Sequence, residues 1–327
     1  MALVDCAHAL LNDGICILPT ETVYGLACSA FSTKAIRKVY QLKGRPSTNP
    51  LIVHVLDHSF AEEISVTNEY SSKLAKAFWP GPLTFILPKK KSIPDEITAG
   101  LNSVAIRSPS HPTFRKVLDQ VQLPLAAPSA NPSNKLSPTK FENVVAAFGK
   151  DCPPFIDGGQ CDIGIESTVL NLTSTSPSIL RLGPITKDAI EKVLGIQVGC
   201  ERIILEQTGG TKARQSPGQG QKHYSPNTPL FLYSTMEQML RSNAINEGDI
   251  LILPCAKPPL FFPAKKIHHL YLSSTGHPKE ITKNLFKILH DADKLKKKRI
   301  HVALFPLGDG LLSAVNDRLS RAATERF

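Results

Sequence analysis

The sequence predicts a mixed α/β protein made of two domains, and three observations lead to this prediction. The chain has 327 residues, and domains usually contain about 100–200 residues. Short apolar runs of strand length alternate with amphipathic stretches of helical period, a pattern typical of α/β folds. Residues 203–228 interrupt this pattern with glycines, basic residues and little apolar periodicity. They therefore predict a linker between domains 1–202 and 229–327.

The first domain is predicted to contain short apolar strands interspersed with amphipathic helices. A helix is expected to begin after Ser32, a good N-cap residue, and to end at Gly44, which suits the position after a helix. Arg45 precedes Pro46, so its backbone should be extended. The further predicted strands are 14–19, 51–55, 83–87, 103–108, 124–128, 167–172 and 178–182, and the further predicted helices are 69–78, 112–120, 138–148 and 186–194.

The last hundred residues predict a smaller, Rossmann-like α/β domain with a mostly parallel sheet, because strands and helices alternate there. Apolar residues from Ile281 to Leu295 recur at helical spacing. The predicted strands are 229–234, 249–255, 267–273 and 301–307, and the predicted helices are 278–299 and 308–324.

Composition narrows the class of function. The formal net charge is +10, which favours anionic partners such as nucleotides or RNA. No apolar run approaches the ~20 residues of a membrane span, and Asp5 and the lack of an early cation argue against a signal peptide. The seven cysteines are widely spaced without a C-x-x-C pair. They indicate neither a zinc site nor a disulfide framework, and we expect reduced thiols in a cytoplasm.

Individual motifs have ordinary structural explanations. A complete P-loop or dinucleotide-binding motif is missing from the sequence. Lys43 and Arg45 could complement a helix dipole, and His54 could be a core histidine of a buried strand. As an ordered set, however, the motifs are specific. They are PTETVYGL (19–26), KGR (43–45), WPGPLTF (79–85), TAG (98–100), VAIR (104–107), AAPSAN (126–131), SPT (137–139), DGG (157–159), GIEST (164–168), LRLGP (180–184) and KHYSPN (222–227).

Over residues 8–228 this set resembles the YrdC-like family of threonylcarbamoyl-AMP synthases. The linker, the α/β tail and the terminal NDRLSRAA resemble the longer, two-domain form of that enzyme. The resemblance implies a twisted mixed sheet with a concave basic cleft. It also implies a nucleotidyl transfer in which L-threonine, bicarbonate and ATP give threonylcarbamoyl-AMP and pyrophosphate. The product would serve threonylcarbamoyladenosine modification of tRNA next to the anticodon, through a separate transfer machinery.

The resemblance also implies site residues. KGR and SAN correspond to the family's K-x-R…S-x-N signature, which makes Lys43 and Arg45 the candidate catalytic residues. The implied ATP contacts are Arg45, Asn49, Ser103, Ser129, Asn131, Ser137, Arg181 and Tyr224. The implied threonine contacts are Thr22, His54, Arg107, Ala127 and Ser167. Mg²⁺ would bind together with ATP, since no cluster of carboxylates predicts a metal site formed by the protein alone. Residues 203–228 would form a lid over the adenylate.

Two alternatives remain open at this stage. One is a module that binds tRNA or rRNA on a basic concave surface, supported by the net charge and by the cationic runs 89–91 and 294–299. Both runs are better explained as a solvated loop and a solvated helix end, and a weak RNA contact is compatible with either function. The other is a carbamoyl-phosphate enzyme of hydrogenase maturation, which the absence of zinc-type cysteine pairs disfavours. The sequence does not predict the oligomeric state or a chemical role for the C-terminal domain.

Overall fold

A computed structural model describes residues 2–201, 223–255, 266–306, 308 and 310–327. Within these ranges the strands form two sheets, one of nine strands and one of five. Residues 202–222 lie outside the described residues, and they include most of the predicted linker 203–228. The lid over the active site therefore stays a prediction.

The larger sheet belongs to the first part of the chain and mixes parallel with antiparallel pairs. Its strands follow the spatial order β1-β2-β6-β3-β5-β4-β7-β8-β9. Their bounds are β1 Cys16–Leu18, β2 Gly25–Ser29, β3 Ile52–His54, β4 Leu83–Pro88, β5 Ser103–Arg107, β6 Leu125–Ala126, β7 Thr168–Asn171, β8 Ser178–Arg181 and β9 Gly199–Cys200. The pairs β3–β5, β4–β7 and β8–β9 are parallel, and the remaining pairs are antiparallel. The predicted mixed α/β fold is confirmed.

Eight helices accompany this sheet in the described residues. They are α1 Ala2–Leu11, α2 Thr33–Lys43, α3 His58–Ile64, α4 Glu69–Phe78, α5 Asp95–Thr98, α6 Pro112–Val121, α7 Phe141–Phe148 and α8 Lys187–Leu194. Helix α2 has the predicted ends: the Ser32 side chain accepts from the Ala35 amide, and Gly44 is left-handed at φ 57°. This geometry places Arg45 immediately after the helix.

The two faces of the larger sheet are covered differently. Successive strand residues point to opposite faces, so Ile17 packs into one core while Cys16 and Leu18 pack into another. Helices α2, α4, α7 and α8 contribute to the first core. Helices α1 and α6 cover the second face over β1, β2 and β6. Farther along that second face, at β3 and β5, lies the cleft described below.

The smaller sheet is wholly parallel in its described pairs, as predicted. Its order is β12-β11-β13-β10-β14. The bounds are β10 Leu230–Tyr233, β11 Ile250–Cys255, β12 His268–Ser273, β13 Ile300–Ala303 and β14 Glu325–Arg326, with helices α9 Met236–Leu240, α10 Pro278–Lys294 and α11 Gly310–Ala322. The core between this sheet and α10 and α11 also takes in Val23, Ile165 and Tyr224. The C-terminal part therefore packs directly against the segments that carry PTETVYGL, GIEST and KHYSPN.

Several predicted bounds need correction. Helix α7 begins at Phe141 rather than at residue 138, because the carbonyls of Pro138 and Thr139 accept hydrogen bonds from the Tyr24 and Cys161 amides instead of starting a helix. Helix α10 ends at Lys294 rather than at residue 299, and Lys296 adopts a left-handed φ of 50°. Strand β2 was not predicted, because its sequence GLACS lacks the β-branched residues that mark strands.

Among the helices of the described ranges, none has both the length and the apolar character needed to cross a membrane.

Candidate active site

Side chains from distant parts of the sequence line one cleft. It lies at β3 and β5, on the same face of the larger sheet that α1 and α6 cover elsewhere. Strands β3 and β5 are parallel, and His54 is paired directly with Arg107 in their register. Both side chains therefore leave the sheet on the same face, next to each other. The cleft is lined by Thr20, Thr22, Val23, Gly25, Arg45, Leu51, Ile52, His54, Arg107, Ala127, Pro128, Ser129, Glu166, Ser167, Arg181, His223 and Tyr224.

Arg107 is held in a fixed orientation at the floor of this cleft. Its side chain is 4% exposed and forms an ion pair with Glu21, with 2.5 Å between Nη2 and Oε1. Nη1 donates to the Thr22 hydroxyl at 2.9 Å, and Nε donates to the Gly81 carbonyl at 3.2 Å. A planar guanidinium fixed in this way is suited to bind a carboxylate with two parallel hydrogen bonds.

His54 is a neutral imidazole beside this cation. Burial, and then the positive charge of Arg107, lower the pKa of His54 to about 3. Its ring packs against Phe114 with 5.1 Å between ring centroids. At neutral pH the side chain therefore offers a hydrogen-bonding ring without adding charge to the cleft.

Arg181 and Ser167 form the opposite wall. Arg181 ends strand β8, where its Nε donates to the Ser167 carbonyl at 3.0 Å and its Nη2 to the Ser167 hydroxyl at 3.1 Å. Ser167 Oγ also lies 2.7 Å from Thr84 Oγ1. This chain of contacts fixes the hydroxyl of Ser167 between a cation and a neighbouring strand.

The K-x-R…S-x-N residues meet in space, although more than eighty residues separate the two halves. Lys43 Nζ donates to the carbonyls of Ser129 and Asn131, so it fixes the turn that carries Ser129 into the cleft. Arg45 lies at the cleft and donates to the carbonyls of Asn49 and Pro50, at 3.1 and 2.8 Å. Burial, and then the charge of Arg45, lower the pKa of Lys43 well below its usual value.

His223 and Tyr224, near the C-terminal end of the predicted linker 203–228, line the same cleft. Tyr224 is buried and adopts a left-handed φ of 61°. Burial, followed by the charges of Arg45, Lys43 and Arg181, lowers the pKa of His223 well below its usual value. The guanidinium groups of Arg45 and Arg181 line the same cleft as His223, so the cleft carries positive charge suited to a polyanionic ligand.

Most of the site residues predicted from the sequence share this cleft, but five do not line it. Arg45, Ser129, Arg181 and Tyr224 line it, as do all five predicted threonine contacts. Lys43 lies beneath the S-x-N turn, and Asn131 lines a neighbouring groove. Asn49 contributes its carbonyl to Arg45 and Tyr40, and Ser137 is buried and donates to Glu166.

Ser103, a predicted ATP contact, lies away from the cleft. It begins β5, whereas Arg107 ends that strand, and a strand rises about 3.3 Å per residue. Ser103 therefore lies roughly 13 Å from the end of β5 that reaches the cleft, and it lines a separate surface depression together with Pro88, Leu101 and Asn102.

Three functional candidates were not singled out by the sequence. Glu21 pairs with Arg107, and Glu166 lines the cleft and pairs with Arg318 of helix α11. The two glutamates stand inside the quoted motifs PTETVYGL and GIEST, and Arg318 stands inside NDRLSRAA. Their presence in these motifs could have marked all three residues as functional candidates. Their ion-pair partners, however, are more than eighty residues away in the sequence and cannot be derived from motif spacing.

The described residues contain no group of three or more His, Cys, Asp or Glu side chains that could hold a metal ion. The two acidic side chains nearest the cleft, Glu21 and Glu166, are each paired with an arginine.

Comparison with known proteins gives matches along the whole chain. A family model described as "Telomere recombination", which covers the Sua5, YciO and YrdC proteins, matches residues 8–183. A second, described as "Threonylcarbamoyl-AMP synthase, C-terminal domain", matches residues 185–324. Curated proteins named threonylcarbamoyl-AMP synthase are 37% identical in Bacillus subtilis, over 99% of this chain and 93% of the relative, and 34% identical in Pyrococcus abyssi, over 99% and 95%.

Solved structures agree with these matches. The structure of P. abyssi Sua5 complexed with L-threonine has a TM-score of 0.86 and 30% identity, and the match covers 100% of this chain and 96% of that one. The structure of Escherichia coli YciO matches over 56% of this chain and 90% of its own, with a TM-score of 0.51 and 22% identity. The second likeness concerns the fold alone.

Proposed function

The chain belongs to the threonylcarbamoyl-AMP synthase family, in its two-domain form, and we propose that it joins L-threonine, bicarbonate and ATP within the cleft around Arg107 and Arg181. The products are threonylcarbamoyl-AMP and pyrophosphate. The observation that carries this proposal is the convergence of Arg45, Arg107, Ser129 and Arg181 on one cleft. The RNA-binding alternative has no support from the relatives, which are named as synthases.

The threonine subsite is assigned to the Arg107 side of the cleft. Arg107 binds the substrate carboxylate, and its ion pair with Glu21 and its hydrogen bond to Thr22 hold the guanidinium in place. His54, Ala127 and Ser167 surround the remainder of the amino acid. A subsite that hydrogen-bonds the threonine hydroxyl rejects analogues without it more strongly than an apolar pocket does. The P. abyssi structure described as complexed with L-threonine supports placing this substrate in the fold.

The nucleotide subsite is assigned to the side formed by Arg45, Ser129, Arg181 and Tyr224. The guanidinium groups of Arg45 and Arg181, which both line the cleft, are the reason for this assignment, because a triphosphate is a polyanion. Lys43 contributes by holding the Ser129 turn. Asn131 and Ser137 act behind this wall: Asn131 Nδ2 donates to the Pro132 carbonyl at 2.9 Å, and the Ser137 hydroxyl donates to Glu166.

The reaction needs charge neutralisation and alignment more than a protein nucleophile. The neutral threonine amine first condenses with bicarbonate to a carbamate, forming a C–N bond and releasing water. A carbamate oxygen then attacks the α-phosphorus in line while pyrophosphate leaves. Nucleophile and electrophile are both anionic and repel each other. Arg45 and Arg181 stabilise the charge that develops on the phosphates. Holding the reacting groups in line at neighbouring subsites can contribute about 7–11 kcal/mol to the lowering of the barrier.

Mg²⁺ is assigned to the substrate rather than to a site of the protein. Magnesium is usually bound through substrate phosphates and few carboxylates, and the acidic residues nearest the cleft pair with arginines. The metal would enter with ATP and reduce the charge of the leaving pyrophosphate.

The cysteines, all free thiols, suit the reducing cytoplasm in which ATP and a tRNA-modifying machinery meet.

A pyrophosphate-release assay with each substrate omitted in turn tests this proposal. Release should require L-threonine, bicarbonate and ATP together, and the adenylate product should be detected by mass spectrometry. Release that continues without threonine, or that never exceeds background with all three substrates, would contradict it. An RNA-binding module would instead bind tRNA with an affinity that falls steeply with salt and would release no pyrophosphate.

A further inference from the structure

Helix α11 of the C-terminal domain places one buried arginine against the wall of the cleft. The Arg318 side chain is 1% exposed, and its Nε lies 3.0 Å from Glu166 Oε2. Its Nη1 lies 2.9 Å from Asp317 Oδ2. The centre of its guanidinium lies 5.5 Å from the centroid of the Tyr224 ring, over the ring face. Arg318 thus contacts two residues that line the cleft, although it does not line the cleft itself.

Glu166 passes this contact on to Ser137. Its second carboxylate oxygen, Oε1, accepts a hydrogen bond from the Ser137 hydroxyl at 2.6 Å. The Ser137 carbonyl lies 3.1 Å from Nε2 of His290, on helix α10. Two helices of the C-terminal domain therefore fix the Ser137 segment, one through Glu166 and one directly.

The charge of Arg318 matters because Glu166 is a carboxylate in a cleft proposed to bind a triphosphate. An unpaired buried carboxylate is costly, and it would repel a polyanion. Burial disfavours the charged form of Arg318, but Tyr224, Glu166 and Asp317 together raise its pKa. The guanidinium therefore stays charged and neutralises Glu166 inside the protein.

We propose that Arg318 is a positioning residue which the C-terminal domain contributes to the nucleotide subsite: it neutralises Glu166, fixes Ser137 through that carboxylate and supports the ring of Tyr224. The inference rests on the proposed function, since it concerns the ATP side of the same cleft. It gives the C-terminal domain a part in the reaction although that domain carries no nucleotide-binding motif of its own.

A purely structural role, in which Arg318 only fastens the two domains, predicts a different result. Loss of docking would affect threonine and ATP alike, or would lower stability without changing either KM. A positioning role on the nucleotide side changes the KM for ATP and leaves the KM for threonine nearly constant. The KM values for the two substrates therefore distinguish the two roles.

The test uses the full-length chain with Arg318→Met and Arg318→Lys. Hydrogen bonds to charged groups are worth about 1.5–3 kcal/mol, which corresponds to about 10–150-fold. We expect Arg318→Met to raise the KM for ATP by about that factor in the pyrophosphate-release assay, with the KM for threonine changed less than about threefold. Arg318→Lys retains the charge and should fall between Arg318→Met and the wild type.

Arg299→Lys is the matched control. Arg299 lies in the same domain, with its guanidinium 5.6 Å from the centroid of the Phe231 ring and Nη1 donating to the Ala244 carbonyl at 3.0 Å. It does not line the cleft, so its replacement should leave both KM values unchanged.

The double variant Arg318→Met with Glu166→Gln keeps the test decisive if Arg318→Met does not fold, because it contains no unpaired buried carboxylate. It should fold, bind ATP better than Arg318→Met where that variant can be measured, and still have a higher KM for ATP than the wild type. Equal changes in both KM values, or an unchanged KM for ATP in a folded variant, would overturn the inference. A wild-type chain that releases no pyrophosphate would instead contradict the proposed function.

Discussion

Replacement of Arg107 by lysine tests how the cleft binds the amino-acid carboxylate. The native guanidinium uses Nε for the Gly81 carbonyl, Nη1 for Thr22 and Nη2 for Glu21. Lysine has one nitrogen, so it cannot keep these three contacts and also bind a carboxylate with two hydrogen bonds. The variant preserves the positive charge opposite Glu21, so we expect it to fold.

The magnitude follows from the contacts that are lost. One hydrogen bond to a charged group is worth about 1.5–3 kcal/mol, so the KM for threonine should rise about 10–150-fold. The KM for ATP should change less than about threefold, because the phosphates are assigned to Arg45 and Arg181. Both values are measured by pyrophosphate release with bicarbonate saturating and the other substrate held in excess.

Arg115→Lys is the control for this experiment. Arg115 lies on α6, is half-buried, and donates to the Leu56 carbonyl and the Ser108 hydroxyl outside the cleft. Its replacement should leave both KM values near those of the wild type. An unchanged KM for threonine in Arg107→Lys, or an equal rise of both KM values, would contradict the assignment of Arg107 to the substrate carboxylate.

Three further predictions concern neighbouring residues. Because the folded pKa of His54 is about 3, below the ordinary ~6.5, only the unfolded chain takes up this proton as pH falls from 6.5 to 5. Titration of His54 should therefore lower the free energy of unfolding of the wild type by about 2 kcal/mol. His54→Asn should reduce the pH dependence of the denaturant midpoint. An unchanged dependence of that midpoint on pH would contradict this prediction. Lys43→Met should lower kcat/KM for ATP at least about tenfold by releasing the Ser129 turn, with threonine binding by calorimetry nearly unchanged. Thr22→Val should raise the KM for threonine roughly fivefold, whereas Thr22→Ser, which keeps the hydroxyl that accepts from Arg107, should resemble the wild type.

Local signals in the sequence predicted the framework of the site well. The N-cap residue Ser32 and the C-cap residue Gly44 predicted the ends of α2. These ends make Lys43 the last residue of the helix and place Arg45 directly after its C-cap. The strand that contains His54 and the strand that ends in Arg107 were both predicted from short apolar runs. Bounds that depend on capping and on strand-length apolar runs are local properties, so they can be predicted from the sequence.

The remaining features depend on pairing between distant segments. The register that sets His54 beside Arg107 follows from the order of strands in the sheet, which no local pattern encodes. The pairs Glu21–Arg107 and Glu166–Arg318 join residues that are far apart in sequence. Helix α7 begins three residues later than predicted because neighbouring segments bind the carbonyls of Pro138 and Thr139. Such contacts become visible only in the folded chain.

A crystal structure of this chain with L-threonine and a non-hydrolysable ATP analogue would show whether both ligands occupy the cleft around Arg107 and Arg181. We expect the threonine carboxylate within hydrogen-bonding distance of Arg107, and the phosphates of the nucleotide bound to the same protein molecule against Arg45, Ser129 and Arg181. A nucleotide bound elsewhere, such as in the groove beside Asn131 and His290, with threonine alone in the cleft, would rule out a shared site.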